Sequence, residues 1–193
     1  MKELINKIKI IGFPKCGSTS LREYLRFQYP ELDIQSFPGY SLYHKDWTRN
    51  VLGSCQAKNV LCMIIIRNPY DRIWSAYWWS KKLNVDISFE DFLQVGHPQL
   101  LNSKDIDSAS GVDDPIGCSD YWKYIAKAKG CNPLIVRFED MIKIPEYPHF
   151  AKTDGSDPHG VRKLVLPRLD FKNRIMIRAK FIARGMVHVL DDY

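Results

Sequence analysis

The stretch Lys7-Ile8-Lys9-Ile10-Ile11-Gly12-Phe13 runs directly into Pro14-Lys15-Cys16-Gly17-Ser18-Thr19-Ser20-Leu21. The first half reads as a buried strand: a short, Ile-rich run that stops at a turn signal. Pro14 and Gly17 punctuate the turn, and Ser18 or Thr19 is placed to cap a helix continuing through Leu21, Tyr24, Leu25 and Gln28. A strand, a glycine-containing loop and a helix start in that order make a cradle for an anion. Backbone N–H groups point outward at the helix N-terminus, and the hydroxyls of Ser18, Thr19 and Ser20 add donors.

Working outward, Asp33 to Phe37 reads as a short second strand, and Pro38 to Lys58 is mixed and aromatic, with a helix expected around Trp47 to Leu52. Val60 to Ile66 is apolar throughout and closes at Arg67-Asn68-Pro69, which points to a strand covered on both faces, as in a parallel sheet. Helical spacing follows over Asp71 to Leu83, and Ser88-Phe89-Glu90-Asp91 has the form of a capping box. Asn102 to Cys118 is polar and reads as a surface loop; Ser119 to Lys129 returns to helical spacing, with Gly130 as its stop. Leu134 to Phe138 is a further strand. Pro145, Pro148 and Pro158 mark Met141 to Gly160 as a long loop of the kind that covers a site. A last helix is expected from Asn173 to Gly185, with Ile175, Ala179, Ile182, Ala183 and Met186 on one side.

Strands alternating with helices over 193 residues predict a single α/β domain spanning residues 1–193, with a mainly parallel central sheet flanked by helices, P-loop-like in its first turn. A chain of this size buries roughly 70% of its unfolded surface and needs no metal or disulfide staple. In such sheets ligands bind beyond the C-terminal strand ends, so Pro14-Lys15 and Arg67-Asn68 belong to one crevice.

The composition narrows the partners. Lys plus Arg number 28 against 22 Asp plus Glu, a net charge of +6, which suits an anionic ligand or a mildly basic enzyme surface. No run of five like charges occurs, so nucleic acid is the less favoured partner. Cys16, Cys55, Cys62, Cys118 and Cys131 are odd in number and lack CxxC or zinc-like spacing, and read as free thiols in a reducing, soluble compartment such as the cytoplasm. Lys2, Glu3, Lys7 and Lys9 interrupt any signal-peptide core, and no apolar run approaches the ~18 residues of a membrane span.

Gly12 to Thr19 nearly fits the nucleotide-binding pattern of Gly, four residues, Gly, Lys, then Ser or Thr. Ser18 stands where that Lys belongs, and the loop's own Lys is Lys15, inside the turn. The substitution disfavours a magnesium-dependent phosphotransferase while keeping a phosphate-like ligand. The second informative stretch is Ile66-Arg67-Asn68-Pro69-Tyr70-Asp71-Arg72-Ile73-Trp74-Ser75-Ala76-Tyr77, in which an Arg at a strand end and a Ser on the following helix can converge on one phosphate.

Taken together, the two stretches resemble the sulfotransferases that use 3′-phosphoadenosine 5′-phosphosulfate. Their 5′-phosphosulfate loop reads roughly Pro-Lys-x-Gly-Thr-Thr-x-Leu, and their 3′-phosphate motif Arg-x-Pro-x-x-Arg-x-x-Ser-x-Tyr. Ser18 replaces the first Thr, one hydroxyl for another. Further similarity lies in Ile87 to Leu93 and in Leu134-Ile135-Val136-Arg137-Phe138-Glu139-Asp140-Met141, so the resemblance covers about Lys7 to Met141. It implies transfer of a sulfuryl group to a hydroxyl or amine of a small molecule or glycan, without a metal. Lys15 would stabilise the leaving phosphate; Lys15, Gly17, Ser18, Thr19 and Ser20 would bind the 5′ phosphosulfate; Arg67 and Ser75 would hold the 3′ phosphate.

The acceptor needs a base, and two candidates lie between the motifs: His44, with a suitable intrinsic pKa, and Asp33, similar to the acidic position of glycan-modifying members. Tyr40, Tyr43, Trp47, Trp78 and Trp79 fit a sugar or a phenol equally well. The chain departs from the family near its C-terminus, where Gly160 to Lys163 and Arg184-Gly185 are two weak matches to a nucleotide-covering loop. A non-catalytic nucleotide- or nucleic-acid-binding module is the alternative outside enzymes.

Overall fold

The structure, a computed structural model, describes residues 4–12, 15–38, 53–82, 86–95, 129–147 and 167–191. Its elements in chain order are β1 (Lys7–Gly12), α1 (Ser18–Gln28), β2 (Asp33–Pro38), β3 (Val60–Ile66), α2 (Pro69–Lys82), α3 (Phe89–Val95), β4 (Leu134–Arg137), α4 (Phe138–Met141), α5 (Phe171–Ala183) and α6 (His188–Asp191). The chain packs into two compact units, one from Met1–Arg67 with Trp122–Asp154 and the other from Asn68–Tyr121 with Gly155–Tyr193.

The first unit is built on a four-stranded sheet in the order β2-β1-β3-β4, every neighbouring pair parallel. This is the α/β architecture expected from the alternating pattern. Ile8, Ile10 and Ile11 of β1 and Cys62 through Ile66 of β3 are buried. Two-sided burial explains why β3 reads as a continuous apolar run, while the Ile-rich run of β1 carries one charged residue, Lys9, that is itself buried. Helix α1 packs on β1 and β2, turning Leu21 and Leu25 into the core. From β1 the chain goes to one side to make β2 and comes back on the other side to make β3. The strand order therefore reverses at β1, and a crevice opens beyond the C-terminal ends of β1 and β3.

The second unit is helical around an aromatic core. Trp74 and Tyr77 of α2 meet Phe89 of α3 with ring centroids 5.1 and 5.0 Å apart, both edge-on, the preferred aromatic geometry. Ile177 and Phe181 of α5, Met186, and Val189 and Leu190 of α6 complete the cluster. Each helix start has a local cause. Asn68 accepts from the Tyr70 and Asp71 N–H groups at 3.0 and 3.4 Å, with Pro69 opening α2. Ser88 accepts from the Asp91 N–H at 3.1 Å, the hydroxyl half of the expected capping box, and donates to the Asp91 carboxylate at 2.6 Å.

Helix α5 corrects the expectation for the C-terminal helix. Asp170 accepts from the Asn173 N–H at 2.7 Å, so the helix starts at Phe171, ahead of Asn173. Its buried side is Ile177 and Phe181, whereas Ile175 and Ile182 are 51% and 55% exposed. Arg174 leans over the Tyr70 ring at 5.5 Å. The end is a Schellman motif: Met186 N–H donates to Phe181 O at 2.9 Å and Gly185 N–H to Ile182 O at 3.0 Å. Arg184-Gly185 is thus the stop of a helix. The expected helix at Trp47–Leu52, all but the last residue of the one at Ser119–Lys129, and the loop at Asn102–Cys118 lie outside the described residues.

Gly185 holds φ +64°, a conformation that costs an L-residue about 1–2 kcal/mol. Gly185→Ala should lower the unfolding free energy by that amount in urea titration. An unchanged midpoint would remove the Schellman stop from the account.

Candidate functional site

The loop between β1 and α1 depends on two glycines. A Cβ at Gly12 would lie 2.2 Å from the Ser18 Cβ, so only glycine lets the start of α1 settle on the end of β1. Gly17 sits at φ +86°, and a Cβ there would lie 2.6 Å from the Phe138 ring. Between them Cys16 is fully buried and pins the loop from inside. Lys15 is held at φ +67°, uncommon for a residue with a Cβ and favoured only where the surroundings enforce it.

The helix start differs from the expected hydroxyl cap. Gly17 is the N-cap, without a side-chain cap, and its carbonyl accepts from the Leu21 N–H at 3.0 Å. Ser18 and Thr19 therefore lie inside α1. The first turn carries no acidic residue, so the positive end of the helix meets no carboxylate of its own there. Such a terminus favours an anion.

Arg67 joins the strand ends. Its Nη1 donates to the Lys15 carbonyl at 2.8 Å, and its guanidinium carbon stands 4.5 Å from the centroid of Phe138, the first residue of α4 at the end of β4. One side chain thus connects the loop after β1, the end of β3 and the end of β4 through a charge-assisted hydrogen bond and a cation–π contact. Tyr147, fully buried, backs the loop. Its hydroxyl donates to the Gly17 carbonyl at 3.4 Å and hydrogen-bonds Ser20, while its ring meets Tyr24 edge-on at 5.6 Å. Burial pushes its phenol well above the ordinary tyrosine range, so it remains a neutral donor.

Lys15, Gly17, Ser18, Thr19, Ser20 and Arg67 are brought together here. Ser75 lies on α2 in the second unit, 4% exposed, and Arg72 on the same helix is fully buried. Asp33 is not brought to the loop. It opens β2 opposite Lys7, to which it is salt-bridged at 2.8 Å, at the end of the parallel pair remote from Lys15. At ~3.3 Å per residue, the length of β2 separates it from the crevice by roughly 17 Å. The Lys7 ammonium holds its carboxyl below the usual range, a fully ionised surface partner. His44, Tyr40, Tyr43, Trp47 and Gly160 to Lys163 lie outside the described residues. Trp78 packs against Trp74 with ring centroids 5.7 Å apart.

Two wall residues were not singled out from the sequence. Phe138 ends the strand-forming run Leu134 to Phe138, so the strand-end rule that selected Lys15 and Arg67 would have found it. Tyr147 lies in the proline-marked segment expected to cover a site, as an aromatic between Pro145 and Pro148.

No protein-family model matches the sequence, and no curated protein matches it. Among solved structures, the fold is similar to that of a sulfotransferase from Alicyclobacillus acidocaldarius, with a TM-score of 0.58 and 15% identity over 96% of this chain and 94% of that one. Likeness at that identity is likeness of fold. Among the described residues there is no cluster of three or more His, Cys, Asp or Glu placed to hold a metal ion, and no helix long and apolar enough to cross a membrane.

Arg67→Lys keeps the charge but loses the flat fork and the stack on Phe138. A loss of about 1–3 kcal/mol in urea unfolding is expected. Wild-type stability in that variant would mean that the bridge holds nothing together.

Proposed function

We propose that the chain is a sulfotransferase that moves the sulfuryl group of 3′-phosphoadenosine 5′-phosphosulfate to a hydroxyl or amine of a small-molecule or glycan acceptor, and that residues 1–193 act as one sulfotransferase-like domain. The observation that carries the reading is the joining of the two motifs at the reversal point of the sheet, where Arg67 of the second motif donates to the Lys15 carbonyl of the first. The similarity in fold to a sulfotransferase supports it. The free thiols of Cys16, Cys55, Cys62 and Cys131 suit a reducing, soluble compartment.

The residues present fit such a cofactor. The start of α1 carries no acidic side chain in its first turn and no side-chain cap, so the amides of Gly17 through Ser20 suit a 5′ phosphosulfate. Ser18 and Thr19 add hydroxyls, while the Ser20 hydroxyl, engaged with Tyr147, leaves its backbone N–H as the donor. Arg67 and, from α2, Ser75 are the pair assigned to the 3′ phosphate. When bound, the cofactor supplies an activated sulfuryl group on a phosphate leaving group.

The chain's own work is positioning and electrostatics. Lys15, held in its loop at a positive φ, would supply an ammonium to offset the charge that grows on the departing phosphate oxygen. The helix N-terminus stabilises the same charge. A sulfuryl group carries one negative charge fewer than a phosphoryl group, so a lysine and backbone donors take the part that magnesium plays in phosphoryl transfer. The acceptor proton goes to His44, whose intrinsic pKa suits that work; Asp33 is occupied by Lys7 at the remote end of β2.

Lys15→Ala should abolish transfer of labelled sulfate to acceptors from a panel of glycans, phenols and amines, with the melting temperature unchanged. Retained turnover would take Lys15 out of the mechanism. In calorimetry, adenosine 3′,5′-bisphosphate should bind at least tenfold more tightly than AMP with EDTA present, about 1.4 kcal/mol. Equal affinities would sink the assignment of Arg67 and Ser75.

A further inference from the structure

Away from the crevice, three thiols converge on a buried ammonium. Lys9 of β1 is 7% exposed and is the register partner of Cys62 on β3; its Nζ contacts the Ser54 hydroxyl. Cys55 follows Ser54 and is buried, as is Cys62. The turn Lys129–Cys131 before β4 lies against the turn before β3: a Cβ at Gly130 would sit 2.8 Å from the Gln56 side-chain nitrogen. That approach carries Cys131, the partly buried member, to Cys55. The Cys55 sulfur is within hydrogen-bonding reach of both Cys62 and Cys131.

We propose that Cys55 and Cys131 form an oxidisable thiol pair that closes a reversible disulfide when the protein meets a hydroperoxide, with Cys62 and Lys9 holding Cys55 ready. The reactive form of a cysteine is its thiolate. Hydrogen bonding from Cys62, then the Lys9 ammonium, draws the Cys55 thiol downward against the effect of burial. Cys62 is pushed the other way by donating to Cys55 and by burial, and burial raises Cys131 to about 11. Hydrogen bonds from both neighbouring thiols and the Lys9 ammonium favour the thiolate at Cys55. Cys131, less buried than Cys55 and Cys62, is the cluster's side toward solvent.

The step balances with one hydroperoxide per pair. The Cys55 thiolate attacks one peroxide oxygen; the O–O bond breaks, leaving a sulfenic acid on Cys55 and, with hydrogen peroxide, a hydroxide that takes a solvent proton. The Cys131 sulfur then attacks the Cys55 sulfur, forming the S–S bond and expelling hydroxide, which leaves as water with the Cys131 thiol proton. Two thiols lose two electrons, and the peroxide is reduced to two waters. A thiol reductant reverses the cross-link by exchange. The product ties the turn before β3 to the turn before β4. The inference is independent of the nucleotide reading.

The full chain, reduced and then given one equivalent of hydrogen peroxide, is alkylated and digested with trypsin without reductant. Cleavage after Lys58 separates Cys55 from Cys62, and cleavage after Lys129 isolates Cys131. Expected is one intramolecular cross-link between the Cys55 and Cys131 peptides, loss of two of five thiols, and recovery with dithiothreitol. Cys118→Ser should leave that cross-link intact, and Cys55→Ser should abolish it with Cys131 alkylated as a free thiol. A cross-link that omits Cys55, one that joins Cys55 to Cys62 instead, or five alkylated thiols would each overturn the proposal.

Discussion

The hydrogen bond from the Arg67 guanidinium to the Lys15 carbonyl is the interaction on which the rest of the crevice depends. An arginine leaving the central strand must satisfy a charge at the edge of the core. It does so by reaching across the sheet's reversal point and lying over Phe138. Lys15, whose carbonyl takes that hydrogen bond, is held at a positive φ. Phe138, fixed under the guanidinium, leaves no space for a Cβ at Gly17. Each oddity of the loop is the consequence of its neighbour.

The same arrangement separates holding from chemistry. Arg67, Phe138, Cys16 and Tyr147 fix the backbone, and through it the start of α1, where no side chain caps the helix. A preorganised row of amides costs little reorganisation when an anion arrives, which is the source of most electrostatic catalysis. The second unit has a different foundation, an edge-on aromatic cluster with well-defined helix caps at Asn68, Ser88 and Asp170.

The centre of the sheet was legible in the sequence because β1 and β3 are largely buried, so that Val60 to Ile66 reads as an apolar run and Ile8, Ile10 and Ile11 as an Ile-rich one. The loop was legible because its backbone demands glycine at fixed places. Less could be read where the cause is tertiary. Asp33 looked like a chemical group from its place between two motifs, yet parallel register sets it beside Lys7. The apolar side of α5 was misassigned because it carries Ile residues on both faces, and contact with Phe89, Phe92 and their neighbours, not periodicity, chooses Ile177 and Phe181. Phe138 and Tyr147 become wall residues only when β4 and the segment after it are seen against the loop.

The central claim is that this crevice holds a nucleotide with phosphates at both its 5′ and 3′ positions. A crystal structure of the chain with adenosine 3′,5′-bisphosphate tests it most directly. The account predicts the 5′ phosphate on the amides of Gly17 to Ser20 with Lys15 beside it, and the 3′ phosphate on Arg67 and Ser75. A nucleotide bound elsewhere, or one whose 3′ phosphate meets neither Arg67 nor Ser75, would contradict it.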